Sequence, residues 1–375
     1  MRLLPGSLWC YFLFYLGVIA CASQGSEKEI DAKAEHTIPI CVDPSIELVC
    51  VIHRLAGTHQ YHESQLPKYI RDVEGYFDPH RDHRAVHLAR FLDSMHHING
   101  SAPMALAVYL GAPPDIREYN NMTPPPGDLD PRWTEDILAD YIHALRDFAR
   151  DSRFMEFYRS HENDYSNATD QLHSTIQNVN IMQWCQQYFG YAPDQYKIIL
   201  GMQNGSCNYG MQITQRDGTR QFISILGARY PSVGDIPKFP PDLYIPTIIH
   251  EFCHSYINPL VDSSRHAFQL AGEKIYPHHQ DQLKQAGYNY WYVMLYEYIV
   301  RACVVRYLIE MDGPDVANER MSWDASFGFP GIYGLVDLLE HYETNRDRYP
   351  RLDDFVPHIS RYFEQLARDY DEVKI

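Results

Sequence analysis

The stretch Thr247-Ile248-Ile249-His250-Glu251-Phe252-Cys253-His254-Ser255-Tyr256-Ile257 holds the pattern HExxH in an otherwise uncharged surround. On an α-helix, positions i and i+4 share a face, so the imidazoles of His250 and His254 converge on one spot with Glu251 beside it. Two imidazoles so placed are a ligand pair for a metal ion, and the carboxylate is placed to activate a metal-bound water. A surface helix with two incidental histidines would carry charged neighbours, and this one has none. Pro246 suits a first helical turn, and Asn258-Pro259 reads as a stop.

Upstream of this helix the pattern is strand-like. Residues 196–201, 209–214 and 221–226 are short apolar runs, separated by Asn204-Gly205-Ser206 and by Arg216-Asp217-Gly218. Such runs with turn chemistry between them predict a small antiparallel sheet. The strand around Asn208-Tyr209-Gly210 is a candidate edge beside a cleft, where an extended backbone can pair; an ordinary core hairpin is the other reading.

The rest reads as helix. Residues 41–190 are mainly helical, with amphipathic segments at 46–55 and 85–92 separated by Gly57 and Asp78-Pro79. Pro113-Pro114 and Thr123-Pro124-Pro125-Pro126-Gly127 form a connector. Residues 133–189 follow, interrupted by a polar stretch at 163–169. After the sheet and the HExxH helix (191–260), the part from 261 to 375 is helical again, at about 280–310, 333–342 and 353–369. The expected fold class is α+β, predominantly helical, and strands followed by an HExxH helix and a further helix make the zincin order.

A catalytic zinc takes three protein ligands, and HExxH supplies two. A metzincin would place a third His six residues after His254, but that position is Leu260, which excludes the class. Glu297 is the first candidate. It lies in residues 291–303, an apolar segment in which Glu297 and Arg301 are the only charges. A buried carboxylate needs a partner or a metal. Arg301, one turn on, either holds it in place or meets a substrate carbonyl; a Glu297–Arg301 pair without metal is the bland alternative. Asp262 is the second candidate ligand, with His266 and Glu273 behind it. His83, His87, His96-His97 and His278-His279 have no acidic partner in a ligand pattern and read as surface histidines.

The chain has 375 residues, 45% hydrophobic, with a formal charge of −17 and no basic stretch, which argues against nucleic-acid binding. Its start reads as a signal peptide over residues 1–20: Arg2, then an apolar run at 8–19 too short to span a bilayer comfortably. Val18-Ile19-Ala20-Cys21 resembles a lipobox. That predicts a lipid on Cys21, a tether at 21–40 and a membrane-anchored protein of the bacterial cell envelope. Ala20-Cys21-Ala22 offers the alternative of simple secretion; both readings export the chain. Of eight cysteines, Cys41 and Cys50 are near enough in sequence to close a small loop. No CxxC pair exists, and Cys253 turns away from the His face as a core residue.

The lipobox, the helical first half, the Asn208-Tyr209-Gly210 strand and the segments HEFCHSYINPL (250–260) and YEYIVRA (296–302) together resemble a known family. It comprises exported, mostly bacterial proteins grouped as a domain of unknown function and regarded as zinc metallopeptidases. The resemblance implies a gluzincin-type site in which His250, His254 and Glu297 hold Zn2+ and Glu251 is the base; it implies no particular substrate. Tyr333, flanked by glycines in 328–334, is the candidate for stabilising the oxyanion. The expected function is hydrolysis of a peptide or protein by metal-activated water. Zinc with Arg301 or a tyrosine would then stabilise the tetrahedral oxyanion. The alternatives are an exported, non-catalytic ligand-binding protein on a zincin scaffold and a zinc hydrolase of non-peptide amides. The intact Glu251 argues against the first, because a site without chemistry needs no base.

Overall fold

The computed structural model describes residues 37–117, 125–229 and 236–372. The expected signal peptide, the Cys21 lipid site and most of the tether lie outside these residues. The last four tether positions do not, and Ile40 already belongs to strand β1 (Ile40–Cys41). No helix among the described residues is long and apolar enough to cross a membrane.

Helix α1 (Pro44–Ala56) shows how local sequence fixes an element. The Asp43 side chain accepts from the Ser45 N–H, Pro44 takes the first helical position, and Gly57 closes the helix at φ +90°. The helices α2 (Pro67–Phe77), α3 (Arg84–His96), α4 (Ala102–Ala107), α5 (Glu135–Asp151), α6 (Phe154–Ser160), α7 (Glu162–Ile176) and α8 (Ile181–Phe189) follow. Helix α7 runs straight through the polar stretch at 163–169, because Tyr165, Ala168 and Leu172 bury one face while the polar residues face outward.

The sheet contains β1, β2 (Gln195–Gly201), β3 (Tyr209–Thr214) and β4 (Arg220–Gly227), in the order β1-β2-β4-β3. It is mixed rather than antiparallel. Strand β2 pairs in parallel with both β1 and β4, and only β3 and β4 form an antiparallel hairpin. The burial patterns give the reason. From Ile198 onward β2 is continuously buried, as is β4 from Phe222, the signature of central strands covered on both faces. Strand β3 is left at the edge.

Helix α9 (Pro241–Ser263) carries HExxH and contains both Pro246 and Pro259 in its interior. The expected start and stop are therefore wrong. A proline inside a helix removes one backbone hydrogen bond, but burial of Ile257, Leu260 and Val261 carries the helix past Pro259. One side of α9 rests on the sheet. Phe252 meets Tyr196 edge-on at 5.2 Å, and Tyr256 lies on Phe222 at 4.7 Å and stacks on Phe189 at 4.0 Å.

Helices α10 (Arg265–Gln285), α11 (Trp291–Met311), α12 (Pro314–Ser326), α13 (Ile332–Thr344) and α14 (Val356–Glu372) complete the described chain. The single helix expected at 280–310 is broken at Gly287, where φ is +87°. Helix α11 packs along α9, and this pairing positions the site. All six described cysteines are free, so Cys41 and Cys50 do not close a loop.

Candidate metal centre

Three donor groups meet where α9 and α11 cross. His254 Nε2 lies 3.1 Å from His250 Nε2 and 3.2 Å from Glu297 Oε1, and His250 Nε2 is 3.7 Å from Glu297 Oε2. Ligand atoms around a tetrahedral ion with bonds near 2.0–2.1 Å stand about 3.3 Å apart, so this donor set fits such an ion. Among the described residues it is the group of His, Cys, Asp and Glu side chains able to hold a metal. The second nitrogen of His254 is also committed: Nδ1 lies 3.1 Å from Asn258 Oδ1, one turn on. Donation of Nδ1–H to that oxygen leaves the Nε2 lone pair facing the cluster.

Charge is concentrated here with little water to screen it. Burial opposes protonation of His254, yet the hydrogen bond and charge of Glu297 outweigh it and lift its pKa to about 9. Burial likewise opposes ionisation of Glu297, but Arg301 and the two histidines hold its carboxyl well below the usual range. Burial, joined by the charges of His254, Arg301 and Arg320, keeps His250 well below an ordinary imidazole against the pull of Glu297. His254 therefore holds a proton where a cation would bind, and cation uptake displaces it.

Glu251 is buried beside the cluster, and burial pushes its pKa up to about 8. Its position depends on Gly210 of the edge strand. The Gly210 N–H donates to the Glu251 carboxylate, and a Cβ at Gly210 would fall 1.8 Å from the Glu251 carbonyl oxygen and 2.9 Å from His254 Cβ. Only glycine allows α9 to lie this close to β3, and Ser255 Oγ adds a 3.0 Å bond to the Met211 carbonyl. Gly210→Ala is accordingly expected to force α9 off the strand, at about 1–3 kcal/mol in stability, and to weaken metal uptake. Thermal melts and a zinc titration check this. Wild-type values in both would show that the contact is unimportant.

Arg301 meets Glu297, as one of its two expected roles requires. Its Nε donates to Glu297 Oε2 at 3.1 Å, Nη1 to Asp324 Oδ1 at 2.6 Å, and Nη2 to the Tyr288 hydroxyl at 3.1 Å. With all three nitrogens engaged and the side chain buried, Arg301 positions Glu297. Tyr288 also hydrogen-bonds to Glu297, and burial together with that carboxylate raises its pKa.

Other expected site residues stand elsewhere. Tyr333 is 43% exposed at the start of α13, and its hydroxyl pairs with Ser322 on α12, not with the cluster. Asp262 is exposed at the end of α9, bonded to Arg265 and Tyr296. His266 and Glu273 are exposed on α10. Tyr288, Arg320 and Asp324 were missed. The one available signal was the i,i+4 spacing of Arg320 and Asp324, which is equally common on solvated helices.

No curated protein and no solved structure matches the chain. The profile of a family described as "Domain of unknown function (DUF4932)" matches residues 38–361, most of the sequence, and the chain belongs to that family.

Proposed function

We propose that the chain is a zinc-dependent peptidase of gluzincin type on a zincin-like fold. The observation that carries this reading is the convergence of two imidazole nitrogens and a carboxylate oxygen at 3.1–3.7 Å, with a fourth group, Glu251, held beside them. Nitrogen and oxygen donors in a tetrahedral set suit zinc. When bound there, zinc supplies Lewis acidity that polarises a carbonyl and acidifies water.

The chain's own residues do the rest. His250, His254 and Glu297 hold the ion, and Asn258 and Arg301 fix the orientation of two of them. Glu251, whose carboxylate is fixed by the Gly210 N–H, takes a proton from the attacking water and passes it to the leaving amine. Strand β3 lies at the sheet edge beside α9 and offers its backbone to an extended peptide. Export and a lipid on Cys21 would put this chemistry at the cell envelope.

The test is digestion of a defined peptide mixture by the zinc-loaded mature chain, read by mass spectrometry. New peptide termini that vanish with a zinc chelator and return with added zinc support the reading. An unchanged mixture at every zinc level overturns it.

A further inference from the structure

Two arginines bring positive charge to this site, and they differ in one respect. Arg301 has each of its three nitrogens bonded, to Glu297, Asp324 and Tyr288. Arg320, on α12, donates only its Nε, to Asp324 Oδ2 at 2.9 Å; its side chain is 25% exposed. Among the described residues neither Nη of Arg320 meets an acceptor. Asp324 has no exposed surface and divides its two oxygens between the arginines, so Arg320 is fixed along one edge with the other left open. The chain Glu297–Arg301–Asp324–Arg320 ties that open edge to the metal ligands.

Charge balance points the same way. Glu297 and Asp324 neutralise the two arginines. A divalent cation then exceeds the single negative charge of Glu251, which leaves the occupied site with a positive surplus that favours an anionic ligand. The neighbouring surface is aromatic. Trp323 is 51% exposed, stacks on Phe327 at 5.0 Å and lies under the Arg320 guanidinium at 5.4 Å. A fork of two free N–H groups beside a flat apolar wall matches a carboxylate attached to a carbon bearing an apolar side chain.

We propose that Arg320 and Trp323 form the subsite for the C-terminal residue of the substrate. Arg320 takes the free α-carboxylate and Trp323 flanks the side chain, so the chain removes residues from peptide C-termini. This rests on the zinc peptidase reading and narrows it. In the substrate the scissile bond is the last peptide bond: water adds to its carbonyl carbon, and the terminal amino acid leaves with the proton delivered by Glu251.

The experiment is calorimetric binding of two zinc-directed dipeptide hydroxamates to the zinc-loaded mature chain, one ending in a free carboxylate and the other in its amide. The acid is expected to bind at least about tenfold more tightly than the amide, as a charge-assisted fork requires. Arg320→Gln should abolish the preference, bringing the acid's affinity down to that of the amide. Trp323→Ala should weaken both probes and keep the preference. Equal affinities in the wild type overturn the subsite, as does a preference that survives Arg320→Gln. Equal loss of both probes in Arg320→Gln also overturns it, by placing Arg320 at the reacting oxygen instead. Binding of neither probe to zinc-loaded protein has the same consequence. A wild-type chain that takes up no zinc would remove the peptidase reading beneath it, and zinc content measured first separates the two failures.

Discussion

Glu251→Gln is expected to keep the fold and the metal while lowering peptide hydrolysis by about 10²–10⁴-fold. Glutamine has the shape of glutamate, and its side-chain oxygen still accepts from the Gly210 N–H, so α9 keeps its seat on β3. His250, His254 and Glu297 are untouched, and metal affinity should hold. Only the proton acceptor is lost. In the free protein the Glu251 pKa is pushed up to about 8 by burial, and a cation at the adjacent donors draws it down again. Turnover and metal content are to be measured on one preparation. Full activity in the variant would remove Glu251 from the chemistry. Loss of metal together with activity would make it a structural residue.

Arg301→Leu is expected to cost about 3–5 kcal/mol of stability. The figure follows from what the substitution leaves behind. Asp324 has no exposed surface and Glu297 almost none, and Arg301 bonds both. Without it Glu297 loses its guanidinium and Asp324 keeps only Arg320, so a buried carboxylate lacks its main counter-charge. The Arg301→Leu, Asp324→Leu double variant should lose less than the sum of the single losses, because the guanidinium and the Asp324 carboxylate it bonds are removed together, leaving only Glu297 uncompensated. Added zinc should restore part of the Arg301→Leu deficit by compensating Glu297. Urea unfolding with and without zinc measures each of these. A loss below about 1 kcal/mol would mean that water reaches the cluster and screens it.

The parts of the site that could be read from the sequence are those that one helix encodes alone. His250 and His254 share a face by helical geometry, and Glu297 stands out because a carboxylate inside Trp291-Tyr292-Val293-Met294-Leu295-Tyr296 and Tyr298-Ile299-Val300 has to be compensated. Asp324 and Arg320 arrive from a separate helix, where Arg320-Met321-Ser322-Trp323-Asp324 reads as an ordinary solvated face. Only the packing of α12 on α11 buries Asp324. Tyr288 is one of four aromatic residues between 288 and 292 with nothing local to single it out. Tyr333 drew notice for its glycine neighbours, yet a flexible flank says nothing of where a side chain ends.

The fold divides in the same manner. A predominantly helical α+β chain is legible in periodicity, and the three longer strands fall where the apolar runs are. Strand direction is not, since parallel and antiparallel strands share a period of two. Strand β1 is two residues long and exists by pairing with β2. Pro259 reads as a helix stop locally, and the buried Leu260 and Val261 beyond it override that signal. These misreadings share one cause: a contact distant in sequence outweighed a local preference.

The most direct test of the metal centre is elemental analysis of the purified mature chain beside His250→Ala and Glu297→Ala variants, each supplied with zinc. The expected result is about one zinc per wild-type chain and a large loss in both variants, with all three still folded. A wild-type chain without zinc, or variants that retain it in full, would contradict a site built from His250, His254 and Glu297.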